Sequence, residues 1–264
     1  MTRPTLCIER RDGIATLLLN RPDRRNAIDA AGWHAIKAAV DAQNNDPDCL
    51  VMIIRGAGEH FGAGADIREF PVIFETREGI YAYFAAMEAA MEAIEATPKP
   101  VVAAIEGMCI GACVALALAC DVRIASASSS FAITPAKLGI IYPYRDVARV
   151  VQAIGAGRAR SLLFTGRAIS GKEARDIGLI DHLVDDDGFD REVTSFASLL
   201  KRSSQATIRA SKQAVRSVLG GMDASGAGYP DALVEAIEGI DFREGIAAFL
   251  TKRAPDFAFR SPPA

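Results

Sequence analysis

At 264 residues, half of them hydrophobic and 24% charged, the chain has room for one large domain or two small ones, and its composition excludes disorder. A formal net charge of −3 argues against a nucleic-acid binder, which works through a clear basic excess. The longest apolar stretch without a charge, Gly107 to Cys120, has 14 residues, short of the about 20 that a spanning helix needs.

Residues 5–11 and 14–20 read as strands joined at Asp12-Gly13, a hairpin signal. Asn20-Arg21-Pro22-Asp23 breaks that pattern, and a helix starts near Asp29 with Trp33, Ile36 and Val40 at helical spacing. Leu50–Ile54 has strand length and leads into a glycine-rich loop from Gly56 to Gly64. A helix over 80–96 ends before Pro98 and Pro100, ahead of a strand at Val101–Ile105. The pattern then repeats with a loop holding Gly107 and Gly111, an apolar helix to Cys120 and a strand at Val122–Ala125. Such alternation predicts an α/β architecture with a largely buried sheet. From Arg145 onward the signals are helical, apart from a short strand at Ile180–Val184, and Asp185-Asp186-Asp187 reads as a solvated turn. A boundary near residue 200 separates an α/β core, 1–200, from a helical region, 201–264.

The five cysteines include no CxxC pair, the pattern of reduced thiols in a cytoplasmic protein. Met1 to Asn20 carries scattered charges and no apolar signal-peptide core. His34, His60 and His182 are far apart and form no metal-binding motif. There is no GxxxxGK[ST] and no GxSxG, and Gly56-x-Gly58-x-x-x-Gly62 is not the GxGxxG of a dinucleotide site. Two segments nevertheless share one grammar of strand, glycine turn and helix start: Ile54 to Asp66, and Ile105 to Cys113. Glycine lets a backbone approach a ligand closely, and a helix start offers free N–H groups with a partial positive charge. Two such amides aimed at one point would make an oxyanion hole; the other reading is a pair of tight turns.

Asn20-Arg21-Pro22-Asp23-Arg24-Arg25-Asn26-Ala27 resembles the N-R-P-x-x-x-N-A signature of the crotonase, or enoyl-CoA hydratase/isomerase, superfamily. Phe61 to Ile67 resembles its first oxyanion-hole segment, and Gly107 to Ala112 with Leu116 to Ala125 its second. Phe164-Thr165-Gly166, Ala174 to Asp181 and Glu244 to Arg253 match later landmarks in the same order. The resemblance implies a crotonase-like (ClpP/crotonase) α/β spiral of ββα units with a C-terminal helical trimerisation region. It also implies a homotrimer or a hexamer made as a dimer of trimers, and an acyl-CoA substrate that brings its own coenzyme A, with no separate cofactor, metal, nucleic acid or membrane. By position, the oxyanion donors would be the N–H groups of Ala65 and Ala112. Arg25 would approach the CoA phosphates, and Ala27, Ala63, Asp66, Ile67, Ile110 and Pro135 would line the path of the CoA. Phe249 and Lys252 would reach the CoA of a neighbouring subunit. Asp66 is also placed to cap the helix after its turn.

Family hydratases use two glutamates; the aligned positions here are Ala115 and Ala136, neither of which can move a proton. An aspartate that some family isomerases use would fall near Pro143. Phe131 to Tyr142, with Thr134-Pro135 before Leu138-Gly139, resembles methylmalonyl-CoA decarboxylase, whose chemistry needs an oxyanion hole and no strong base. That enzyme has a histidine in place of Ala65 and a glutamate in place of Ala115. Tyr142 then either orients the reacting group, delivers a proton, or packs beside the pocket. Glu106 and Asp121 read as structural, and Arg145 and Asp146 either face the pocket or begin a solvated helix. The expectation is an acyl-CoA enzyme working through a thioester enolate by non-hydratase chemistry. The alternatives are a non-catalytic acyl-CoA-binding subunit of the same fold and, more remotely, a nicotinamide dehydrogenase.

Overall fold

A computed structural model describes residues 4–220 and 229–257. The hairpin forms where Asp12 and Gly13, at φ 50° and 76°, supply the left-handed backbone of a two-residue turn. Strands β1 (Leu6–Arg11) and β2 (Ile14–Leu19) pair antiparallel across it. There follow β3 (Val51–Gly56), β4 (Val101–Ile105), β5 (Met108–Ile110), β6 (Val122–Ser126), β7 (Ser130–Ala132), β8 (Ala168–Ser170) and β9 (His182–Val184). The larger sheet runs β1-β2-β3-β4-β6-β9, with every pair after the hairpin parallel. The smaller sheet, β5-β7-β8, has one parallel and one antiparallel pair.

Period-2 alternation divides the buried strands between two faces. Met52 and Ile54 of β3, with Val101, Ala103 and Ile105 of β4, face the main core. Helices α1 (Ala30–Asn44), α3 (Arg77–Ala96), α4 (Ala112–Ala119) and α6 (Tyr144–Thr165) pack into that core with Leu17 of β2 and Phe131 of β7; α2 (Phe70–Ile73) and α5 (Pro135–Leu138) are single turns. Val51, Ile53, Val102 and Ala104 point to the other face, covered by Phe189, Val193 and Ala197 of α8 (Phe189–Arg202). Those three residues are four apart, one stripe of a helix. Helix α7 (Gly171–Ile177) precedes β9, and α9 (Gln205–Leu219), α10 (Tyr229–Glu238) and α11 (Ile240–Leu250) form the C-terminal helical part. No helix among the described residues is long and apolar enough to cross a membrane.

Helix α1 starts where the sequence places it, and Asp29 caps it by accepting from Gly32 N–H at 2.7 Å. One correction concerns the stretch after Arg145, which is interrupted by β8 as well as by β9. Three-residue strands such as β5, β7 and β8 are too short to show a period of two, and their partners lie far along the chain. A second concerns Asp66. No helix begins beside it, since α2 starts at Phe70 with Glu69 as its N-cap residue. Its carboxylate is buried, with Oδ2 against Arg21 at 2.8 Å and Oδ1 accepting from Arg68 N–H at 3.3 Å, so it closes a turn and not a helix.

Candidate active site

The site is built on two glycine-bearing segments held side by side. Asn26, 2% exposed, ties the first in place. Its Nδ2 donates to the carbonyls of Ala57 (2.9 Å) and His60 (2.6 Å), and its Oδ1 accepts from Arg21 N–H at 3.0 Å. Arg21 in turn bridges Asp66, Asp29 (3.2 Å) and the Ala27 carbonyl (2.8 Å). The N-R-P-x-x-x-N-A motif is therefore a frame for the loop that follows β3. Ala63 N–H donates to the Arg25 carbonyl (2.9 Å), Ile28 N–H to Gly64 (2.8 Å), and Asp66 N–H to Ile28 (2.8 Å). On the other side Gly62 exchanges bonds with β5, donating to Met108 (2.8 Å) and accepting from Ile110 (2.9 Å).

This bonding consumes the amides around Ala65 and leaves its own N–H without a protein acceptor among the described residues. The second spare amide belongs to Ala112, the first residue of α4, which follows Gly111 at φ 57°. A first-turn N–H has no partner within its helix, and the helix start adds partial positive charge. Gly64 brings the two segments together. A Cβ there would stand 2.7 Å from the Ile110 carbonyl oxygen and 3.3 Å from Ala112 N, on a backbone at φ +95°. Any side chain at 64 would push the segments apart.

Both alanines border a cavity of about 80 Å³ with mainly apolar walls that include Phe70, Phe84, Met87 and Ile140. Leu138 and Ile141, 50% and 88% exposed, stand at its rim. Tyr142 is buried, and its hydroxyl donates to the Gly111 carbonyl at 3.1 Å. That carbonyl belongs to the peptide unit whose N–H is Ala112's. Burial pushes the Tyr142 phenol well above its ordinary range, so the hydroxyl keeps its proton on this bond.

Asp146, 2% exposed, also borders the cavity. Its Oδ1 accepts from Arg149 at 2.6 Å, and Arg149 Nε donates to Glu95 of α3 at 2.6 Å. The other oxygen, Oδ2, is buried without a hydrogen-bond partner. Desolvation pushes this carboxyl up to about 6; the nearby Arg149 cation opposes the rise, and Glu88 and Glu95 add to it. The sequence left Asp146 open between pocket and solvent. Its place in the first turn of α6, beside the segment that carries Tyr142, brings it to the cavity wall.

Of the residues carried over by resemblance, Ala63, Ala65, Ile67, Ala112, Pro135 and Tyr142 line the cavity. Ile110, Ala27 and Asp66 are outside the lining: Ile110 N–H donates to Gly62, and the Ala27 carbonyl and the Asp66 carboxylate accept from Arg21. Arg25 is exposed, at φ 50°, and its guanidinium makes no ion pair among the described residues. Phe249, 80% exposed, and Lys252 lie at and just after the end of α11, outside the lining. Ala115 is fully buried within α4 and does not reach the cavity surface. Ala136 is exposed on α5, and Pro135, one residue earlier, borders the cavity instead. Neither residue can transfer a proton. Glu106 pairs with Arg55 at 2.5 Å and Asp121 with Lys212 at 2.8 Å, both structural. Arg145 pairs with Glu88 on α3 at 2.6 Å.

A family model described as enoyl-CoA hydratase/isomerase matches residues 9–260. A "Probable enoyl-CoA hydratase" of Mycobacterium bovis is 32% identical over 98% of this chain and 100% of its own. A crotonyl-CoA hydratase of Syntrophomonas wolfei is 33% identical over 97% of this chain and 99% of its own. The crystal structure of an enoyl-CoA hydratase/isomerase family protein from Hyphomonas neptunium superposes with a TM-score of 0.93 at 36% identity, covering 97% of this chain and 98% of that one.

Proposed function

The chain belongs to the enoyl-CoA hydratase/isomerase (crotonase) family and has its α/β fold with two mixed sheets and C-terminal helices, and from that premise we propose that it forms the enolate of an acyl-CoA thioester without the hydratase pair of glutamates. Family membership makes it an enzyme of acyl-CoA chemistry. The observation that carries the finer reading is the pair of unspent N–H groups, Ala65 and Ala112, on a cavity with no carboxylate at the two hydratase positions.

The chemistry follows from where charge develops. When a bond at the carbon next to the thioester breaks, to hydrogen or to a carboxylate, its electron pair moves onto the thioester oxygen. Two fixed N–H donors at that oxygen stabilise the enolate more than the neutral carbonyl, and one such donor is worth about 2.7–4 kcal/mol in a transition state. Adding water to an enoyl thioester asks for positioned acids and bases as well, each contributing about 10²–10⁴-fold. The alanines at those two places, Ala115 and Ala136, supply none. Decarboxylation of a malonyl-type thioester needs only the oxyanion donors and a shaped acyl end, where Tyr142 holds the Gly111–Ala112 peptide.

The CoA portion would run past Ala63, Ile67 and Pro135, with Arg25 near its phosphates. Phe249 and Lys252 would come from a neighbouring subunit. Exposure of Val218 (75%), Phe249 (80%) and Leu250 (74%) on the C-terminal helices supports assembly into a trimer or a dimer of trimers, since large exposed apolar patches mark interfaces.

A screen of acyl-CoA thioesters tests the proposal, with crotonyl-CoA for hydration and malonyl-type thioesters for loss of carbon dioxide. Turnover of a thioester other than by hydration is expected. Hydration of crotonyl-CoA at about 10² s⁻¹, high in the usual enzyme range, would overturn it. Binding with no turnover of any thioester would instead identify a non-catalytic acyl-CoA-binding subunit.

A further inference from the structure

We propose that Asp146 is the proton-transfer group of this site, its Oδ2 taking a proton from the carbon next to the thioester and returning it. The inference rests on the acyl-CoA enolate reading and adds to it the base that the two hydratase positions lack.

Asp146 is the one carboxylate among the described residues that line the cavity. Its two oxygens are used differently. Arg149 holds Oδ1 and is itself held by Glu95 and by contact with the Met91 sulfur at 3.5 Å, so the carboxylate is fixed in orientation. Oδ2 is equally buried and has no hydrogen-bond partner. A buried carboxylate oxygen left unpaired is costly, and a role in chemistry is one of the reasons a fold retains such a group. The groups facing it from each packed element are few. Helix α3 presents Glu95 and also Glu88, the latter paired with Arg145; α6 presents Arg149; Tyr142 stands next to it, neutral. Burial pushes the carboxyl up to about 6 against the pull of Arg149, with Glu88 and Glu95 adding to the rise. At pH 7 it is mostly ionised and ready to accept a proton, yet able to hold one through the lifetime of an enolate.

In the step proposed, the α C–H bond breaks and an O–H bond forms on Asp146. The C–H electron pair becomes the carbon–carbon double bond of the enolate, and negative charge settles on the thioester oxygen beside Ala65 and Ala112. The proton then returns to the α carbon. Where the substrate carries a β,γ double bond, it returns to the γ carbon instead and the double bond moves into conjugation. Nothing is oxidised or reduced and no co-reactant is consumed.

The test is exchange of the α hydrogens of 3-butenoyl-CoA in deuterated buffer, followed by proton NMR, with thioester binding measured in parallel by calorimetry. The wild type should exchange, and Asp146→Asn should lower the rate by about 10²–10⁴-fold while binding is retained and thermal melting shows a folded protein. In the wild type the exchange rate should rise with pH and reach half its plateau near about 6; this profile decides the matter should the asparagine variant fail to fold. Wild-type exchange in a folded Asp146→Asn, or a flat profile through that range, would overturn the proposal. Binding by the wild type with no exchange would overturn it while leaving the acyl-CoA reading in place. Absence of both binding and exchange would remove the acyl-CoA reading itself.

Discussion

Tyr142 shows how a residue's chemistry depends on the partner the fold gives it. Its hydroxyl is spent on the Gly111 carbonyl, so it acts on the reaction through the position and polarity of the Ala112 N–H. A neutral hydrogen bond contributes about 0.5–1.5 kcal/mol, which translates to at most about tenfold in rate. Tyr142→Phe should therefore lower kcat several-fold and leave KM for the thioester unmoved. The Gly111 carbonyl would keep its bond from Val114 N–H at 3.0 Å, so the fold should survive. A change in KM alone, or none in either constant, would reduce Tyr142 to packing. Asp146 makes a different prediction, for stability. Its carboxyl is raised in the folded state, so its contribution is fully present below the unfolded value near about 3.9 and is lost as pH rises through about 6. Two units correspond to roughly 3 kcal/mol. Urea titrations should show wild type losing stability relative to Asp146→Asn across that window; parallel pH profiles for the two proteins would contradict this. Neither role was legible from residue type alone. Tyr142 could be placed beside the pocket by resemblance, but its hydrogen bond depends on a carbonyl in another element. Asp66, read as a helix cap, holds the local turn through Arg68 N–H and also meets Arg21 across the loop frame.

Among the elements, the start of α4 and the turn at Gly64 form one unit. A Cβ at Gly64 would collide with the Ile110 carbonyl, and the positive φ adds strain that L side chains rarely bear. Gly64→Ala should separate the two N–H donors and cost about 10²–10³ in kcat, the loss expected for one oxyanion donor. A Gly64→Ala enzyme with unchanged kcat would mean that the donors do not act together. Ala112→Pro makes the complementary test by deleting the N–H itself, which no side-chain truncation can do. Its result is read after melting confirms the fold. Strong helices and the buried strands β3, β4 and β6 were legible because their periodicity or apolar length is unambiguous. The short strands β5, β7 and β8 were not, although β5 holds the first oxyanion segment in place through Met108 and Ile110. Local sequence carries too few residues there to show a pattern, and long-range pairing alone creates the strands.

At the scale of the molecule, an acidic chain is proposed to take a polyanionic ligand, so attraction must be local. Arg25 is exposed next to the first oxyanion segment, and its carbonyl receives Ala63 N–H. Coenzyme A affinity should fall as salt rises, since exposed charges are screened over about 8 Å at physiological ionic strength. Arg25→Ala should weaken binding and flatten that dependence, as calorimetry at several salt concentrations would show. Affinity indifferent to both would exclude Arg25 from the phosphate site. The ordered motifs made the family and its fold legible from the sequence.

The whole proposal turns on the Ala65 and Ala112 amides receiving one thioester oxygen. A crystal structure with bound acetyl-CoA addresses it directly. The thioester oxygen should lie about 2.7–3.1 Å from both amide nitrogens, with the acyl carbon facing Tyr142 and Asp146. A thioester oxygen bonded to neither amide, or an acyl group lodged outside this cavity, would contradict it.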